Sequence, residues 1–244
     1  MALDKQRFTS SLTKIFGENG FSKLLSRDVS EKLFTLTEFM LSENEKYNLT
    51  AITDPDKIIL NHYADCATLA IRLPKGARVC DIGCGAGFPT LPVAIFRPDA
   101  SVLGIDSTAK RIGYVTQAAA LLGLSNVECV TMRAEDGGRD IKYREKFDVV
   151  TARAVAELRV LAELCLPYAR VGGSFIAMKG KNAEFELSAA KRAIATLGGR
   201  NVRVETVTLL GAEKLSHPLI YIDKKEKTPA AYPRPFAQIS KKPL

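Results

Sequence analysis

The spacing of apolar residues changes near residue 76. Upstream it is helical: over 29–47, Leu33, Leu36, Met40 and Tyr47 share one face with Glu and Lys between them, which predicts an amphipathic helix with one packed side. A second helix is predicted after Asp54-Pro55, where aspartate suits an N-cap and proline the first turn, with Ile58, Ile59, Tyr63 and Leu69 on its packed face. From Ala77 onward, short apolar runs alternate with longer periodic segments. Strands are predicted over 77–82, 101–105, 127–132, 147–152 and 174–178, and helices over 89–96, 108–122, 157–169 and 183–197. That alternation belongs to βαβ units and a parallel sheet. Two further β-rich runs, 201–210 and 218–223, are joined by Gly211-Ala212-Glu213-Lys214, too short for a parallel crossover, so they pair antiparallel.

The expected fold is therefore α/β: a Rossmann-like, seven-stranded sheet with helices on both faces and an N-terminal helical extension. Three segments are expected: the extension over 1–75, the sheet domain over 76–223, and a basic, Pro-containing tail over 224–244 that should be extended. A length of 244 residues suits one sizeable α/β domain with a modest addition.

Composition narrows the setting. An apolar fraction of 46% and a charged fraction of 25% are those of an ordinary folded protein. No apolar run approaches the roughly 18 residues of a membrane span, and MALDKQRFTS lacks the order of a secretory signal. The expectation is a cytoplasmic protein with no membrane partner. The five cysteines (Cys66, Cys80, Cys84, Cys129, Cys165) are odd in number and form no C-x-x-C pair, so they read as buried thiols and not as disulfides or metal ligands. The net charge of +8 is confined to the last two fifths of the chain, with an excess of +4 in 151–222 and +4 in 223–244. A one-sided basic surface suggests a polyanion such as RNA.

The candidate chemistry begins where the first parallel strand ends. Val79-Cys80-Asp81-Ile82-Gly83-Cys84-Gly85-Ala86-Gly87 places glycines at alternate positions where a strand must turn into a helix. Glycine there permits a tight turn and lets a ligand approach the main chain. The sixth position of a dinucleotide fingerprint is Phe88 and not glycine, which argues against NAD. Asp106 ends the second strand, where a carboxylate can accept the hydroxyls of a ribose. Asp81 precedes the loop and is suited to ordering it or to receiving an ammonium group. Ala134-Glu135-Asp136 follows the third strand at the same sheet edge. Acids around a glycine loop suit a ligand with a ribose, an amine and a positive sulfur but no phosphate, which describes S-adenosyl-L-methionine.

These residues resemble a known family. Asp81-Ile82-Gly83-Cys84-Gly85-Ala86-Gly87-Phe88-Pro89, Asp106-Ser107 with Lys110-Arg111, Arg133-Ala134-Glu135 and Thr151-Ala152-Arg153-Ala154 are similar to the ribosomal RNA small subunit methyltransferase G family, also called glucose-inhibited division protein B. The likeness extends to Tyr47-Asn48-Leu49-Thr50-Ala51-Ile52, Lys179-Gly180-Lys181, Tyr232-Pro233-Arg234 and Lys241-Lys242-Pro243-Leu244. The resemblance implies a class I methyltransferase sheet and methylation of N7 of a guanine in the decoding-region loop of bacterial 16S rRNA. It implies cofactor contacts at Gly83, Phe88, Ala134 with Glu135, and Arg153. Asp81, Gly85 and Asp106 join them from the reading of the loop. Two departures stand out: Thr90 replaces a usual glycine, and Phe236-Ala237-Gln238-Ile239-Ser240 replaces a usual Gly-Thr-Pro-Ala.

Thr151-Ala152-Arg153 stands where amine methyltransferases carry Asn/Asp-Pro-Pro-Tyr/Phe, and there is no Pro-Cys nucleophile for pyrimidine carbon. Guanine N7 has a free lone pair, so its methylation needs alignment and no deprotonation. No catalytic residue is assigned on this positioning mechanism. Arg153 is a candidate for the cofactor carboxylate or for an RNA phosphate. Lys179 and Lys181 are RNA-contact candidates, and His62 and His217 are expected to be structural. The partner is 16S rRNA or the small subunit, an assembly intermediate included, with no metal. Another RNA base or a protein as acceptor, and a non-catalytic nucleotide- or RNA-binding module, stay open.

Overall fold

The computed structural model describes residues 3–180, 183–211 and 213–244. Its first helix, α1 (Lys5–Glu18), starts at Asp4, whose carboxylate accepts the Arg7 N–H at 3.0 Å. The second, α2 (Arg27–Tyr47), is capped by Ser26 through Val29 N and ends on Asn48 in the left-handed region at φ 48°. As the Asp54-Pro55 pattern predicts, α3 (Pro55–Ile58) opens with Asp54 accepting from Lys57 N at 3.0 Å. It runs through a π-helical turn, Ile59–Ala64, into α4 (Asp65–Ala70).

The α/β segment follows in the expected alternation: β1 (Arg78–Ile82), α5 (Thr90–Phe96), β2 (Ser101–Asp106), α6 (Ala109–Leu121), β3 (Val127–Thr131), α7 (Ala134–Gly137), β4 (Phe147–Arg153), α8 (Leu158–Cys165), β5 (Ala169–Met178) and α9 (Ala183–Thr196). The hairpin strands β6 (Gly199–Leu209) and β7 (Leu215–Lys224) come next, and α10 (Phe236–Lys241) closes the chain. Among the described residues, seven strands form one sheet in the order β3-β2-β1-β4-β5-β7-β6. β1 to β5 are parallel, and β7 pairs antiparallel with both β5 and β6. This is the expected seven-stranded plan with its closing hairpin.

Alternation along the strands divides the core in two. Val79, Val102 and Val149 join Leu12, Phe16, Leu36, Ile59 and Leu91 in a cluster that includes the N-terminal helices. Cys80, Ile82, Leu103 and Val150 face the opposite side with Leu161, Ile194 and Ile239. The helix predicted over 157–169 ends at Cys165: Leu166 keeps helical backbone, but Pro167 has no N–H to continue the hydrogen-bond ladder. All five cysteines are unpaired, four of them buried and Cys129 half-buried. No helix among the described residues is long and apolar enough to cross a membrane.

The tail departs from the extended form expected of it. It folds back along α8 and ends in a helix. Arg139 Nε donates to Pro233 O at 2.7 Å, and Arg144 donates to Tyr232 O at 2.8 Å and Thr228 O at 2.7 Å. Lys224 is fully buried and donates to Leu166 O at 2.6 Å, so it is no phosphate contact. Arg234 grips the fully buried Glu163 through Nε–Oε1 at 2.8 Å and Nη2–Oε2 at 2.6 Å, and its main-chain N–H also donates to Oε1. Part of the basic excess is thus used inside the protein, which a charge count does not reveal.

Arg234→Ala would leave the Glu163 carboxylate buried without its partner, at an expected cost of about 3 kcal/mol in urea denaturation. Adding Glu163→Gln should recover part of the loss, whereas an equal or larger loss in the double variant would show that the pair is not what holds the tail.

Candidate active site

β1 ends in a loop that is tied to β2 by its own amides. Gly83 N and Cys84 N both donate to Ile105 O, at 2.7 and 3.0 Å, and Gly87 N donates to Cys84 O at 2.8 Å. Gly83 lies at φ 73°, and a Cβ there would sit 2.6 Å from Val155 Cγ2, so a side chain is excluded by conformation and by space. Gly85, at φ 55°, has only the Gly83 carbonyl within 4 Å of its would-be Cβ and leaves the loop open to a ligand. Asp106 braces the same loop: Oδ2 accepts from Gly85 N at 3.0 Å and Oδ1 from Thr108 N at 2.8 Å. Each carboxylate oxygen retains a second lone pair for a further donor.

A cleft of about 420 Å³ opens above this loop at the carboxyl ends of β1, β2, β3 and β4. Strand order reverses between β1 and β4, and ligands of open α/β sheets bind at such a point. Gly83, Gly85, Phe88, Asp106, Ala134, Glu135 and Arg153 all line it. Asp81 does not. It shares the face of β1 that carries Val79, beneath α5, where its Oδ2 accepts from Thr90 Oγ1 at 2.6 Å. Thr90, the departure from the usual glycine, is accommodated by Gly104 across β2, whose would-be Cβ meets Thr90 Oγ1 at 3.2 Å. Lys179 lines a neighbouring recess of about 220 Å³, which shares Arg153 and Ala154 with the cleft. Its ammonium donates to Ala156 O at 2.7 Å and pairs with Glu186 at 2.7 Å. Lys181 lies outside the described residues.

Both histidines, expected to be structural, stand close to this chemistry. His62 lines the cleft, its ring stacked on Phe88 at 4.4 Å and 18°, with Thr50 Oγ1 at 3.2 Å from Nε2. Burial, with the Arg153 charge adding to it, lowers its pKa to about 4. Arg153 donates from Nη1 to Asp65 Oδ2 at 3.1 Å and to Asn61 O at 3.2 Å, and its guanidinium lies 5.6 Å from the Phe88 ring centroid. On the other side of Asp65, His217 Nε2 approaches Oδ1 at 2.6 Å. Burial opposes a charged imidazole there, but the Asp65 carboxylate outweighs it and raises the His217 pKa. His62 and Asp65 are brought to β4 by the π-helical turn, whose extra residue leaves no mark in the hydrophobic spacing. Met132 and Phe236 also line the cleft. The only sequence sign of Phe236 was its departure from the family's usual tail.

The family model described as rRNA small subunit methyltransferase G (GidB) matches residues 29–214. The chain belongs to this family. It is 45% identical over 221 residues to ribosomal RNA small subunit methyltransferase G of Lactobacillus delbrueckii subsp. bulgaricus, covering 88% of this chain and 92% of that protein. The protein of the same name from Brevibacillus brevis is 47% identical over 203 residues, covering 82% and 85%. Among solved structures, a SAM-dependent O-methyltransferase from Thermotoga maritima matches with a TM-score of 0.54 at 14% identity, over 77% of this chain and 72% of that one. A cofactor-bound protein from MTB matches with a TM-score of 0.55 at 18% identity, over 80% and 91%. At those identities the solved structures speak to the fold. The rRNA small subunit methyltransferase G family thus carries its sequence pattern on a class I methyltransferase sheet.

Asp81 supplies a pH signature. Burial raises its pKa to about 6, against the lowering effects of Thr90 and Arg153. The folded protein therefore holds this proton to a higher pH than the unfolded chain, and stability falls as pH rises from about 4 through 6. Relative to Asp81→Asn, the native protein should lose roughly 2 to 3 kcal/mol of unfolding free energy between pH 4 and 7. A constant difference across that range would contradict the assignment.

Proposed function

We propose that the chain is a cytoplasmic, S-adenosyl-L-methionine-dependent methyltransferase that acts on N7 of a guanine in the decoding-region loop of bacterial 16S rRNA. Its substrate is the small ribosomal subunit or an assembly intermediate of it. The observation that carries this reading is the cleft at the switch point, where the open glycine loop, Asp106, Ala134-Glu135 and Arg153 converge. The family membership gives that cleft its chemistry.

The residues fit such a donor. Asp106 has lone pairs left for ribose hydroxyls, Gly85 leaves room for close approach, and Arg153 offers a cation to a carboxylate at the β4 end. The donor supplies a methyl on a positively charged sulfur: the S–CH3 bond breaks as the N7–CH3 bond forms, leaving a neutral thioether and a cationic guanine. Because the N7 lone pair is free, the protein has no proton to remove. His62, with a pKa near 4, is neutral at physiological pH and adds no positive charge to the cleft that would hold the sulfonium. Alignment is the remaining task, and positioning alone can lower a barrier by roughly 7 to 11 kcal/mol.

The recess between Arg153, Lys179 and His217 adjoins the cleft on the side of β4 and β5, and is our candidate for the acceptor base. N7 lies on the major-groove edge, which A-form RNA holds in a deep, narrow groove, so the guanine must be unpaired or flipped out.

Two measurements test this reading. Nucleoside analysis of 16S rRNA from a strain lacking the gene should show one 7-methylguanosine lost, and an unchanged content would contradict the acceptor. In calorimetry, Asp106→Ala should weaken S-adenosyl-L-methionine binding by roughly 1.5 to 3 kcal/mol, and unaltered affinity would remove Asp106 from the ribose.

A further inference from the structure

The cleft has one wall that comes from the end of the chain. Phe236 lines it beside Arg133 of the segment that follows β3, where Met132 and Ala134 also line the cleft. It lies beyond residues 29–214, which the family model matches. Phe236 is 38% exposed, and the Arg133 guanidinium lies 5.9 Å from its ring centroid. It is also held in place from both sides. Two residues before it, Arg234 is locked to the fully buried Glu163 of α8, and three residues after it Ile239 is fully buried. Pro233 packs so closely on Gly138 that a Cβ there would come within 2.9 Å of Cγ. An aromatic ring at the mouth of a cleft, fixed on both sides, is arranged to receive a flat partner.

The sheet decides which part of a ligand that partner is. Asp106 at the end of β2 marks the ribose. Arg153 at the end of β4 marks the carboxylate, on the β1 side of Asp106. The rest of the donor, its purine, must then extend the other way, toward β3. There the residues after the strand, Met132 to Ala134, and Phe236 form the wall. We propose that Phe236 stacks on the adenine ring of the donor, and that the segment 233–244 is thereby a part of the cofactor site. This rests on the donor assignment above. Ring stacking of this kind contributes affinity through overlap of flat faces, with Arg133 adding a cation at the same edge.

The chain contains no tryptophan, so Phe236→Trp introduces a single fluorescent reporter. Titrating this variant with S-adenosylhomocysteine, which cannot transfer a methyl, should change the indole emission, with its midpoint near the Kd that calorimetry gives for the native protein. Phe236→Ala should bind S-adenosylhomocysteine and adenosine about tenfold more weakly, by the same factor for both, since stacking acts on the ring they share. Glu163→Gln should weaken binding as well, and its effect should add little to that of Phe236→Ala. Unchanged emission at saturating S-adenosylhomocysteine, or a change that appears only with RNA, would overturn the proposal. So would native-like affinity in Phe236→Ala. If calorimetry finds no binding to the native protein, it is the donor assignment that falls.

Discussion

The whole cleft rests on one carbonyl and one carboxylate at the end of β2. Ile105 O takes two successive amides of the glycine loop, and Asp106 takes a third while holding the start of the segment before α6. Without these contacts a loop with three positive-φ glycines would be free to take many conformations. With them, its open side faces the carboxyl edge of the sheet, and Gly83 is pressed against Val155 from the loop after β4. The carboxylate that orders the loop is also the one we propose for the ribose, so on that reading loop order and ligand binding share a group.

Around that fixed floor, the walls come from both ends of the chain. At the β4 side, Asp65 joins Arg153 and His217 and ties the N-terminal helices and the hairpin to the sheet edge. At the β3 side, the Arg234–Glu163 pair brings the C-terminal segment over α8. Both are largely buried ion pairs. Such pairs contribute little net stability against an apolar alternative, but breaking one partner is costly, so they fix position more than they add to stability. This division suits the alignment mechanism proposed above.

Much of this architecture was legible in the residue pattern. The switch from helical to alternating apolar spacing near residue 76, the Asp54-Pro55 start and the short 211–214 link each follow from local geometry, and each element is present. Seven of the eight cofactor candidates meet in one cleft because strand ends at one sheet edge are neighbours by topology. Asp81 fell outside it because a strand alternates: the residue before the turn points under α5. The contacts made between distant segments were not legible. Nothing at His62, Asp65 or His217 announces that they meet near Arg153. Nor does a Lys- and Pro-rich tail disclose that Arg139, Arg144 and Glu163 will capture its backbone and its arginine.

Delivery of a methyl from this cleft to one ring nitrogen in the small-subunit RNA is the step on which the proposed function stands. Isolated small subunits lacking the modification, treated with the protein and labelled S-adenosyl-L-methionine, test it most directly when the label is mapped by nuclease digestion. Label is expected in 16S rRNA alone, as 7-methylguanosine, at one decoding-region guanine. Label on a ribosomal protein, on another base or on another atom of guanine would contradict it.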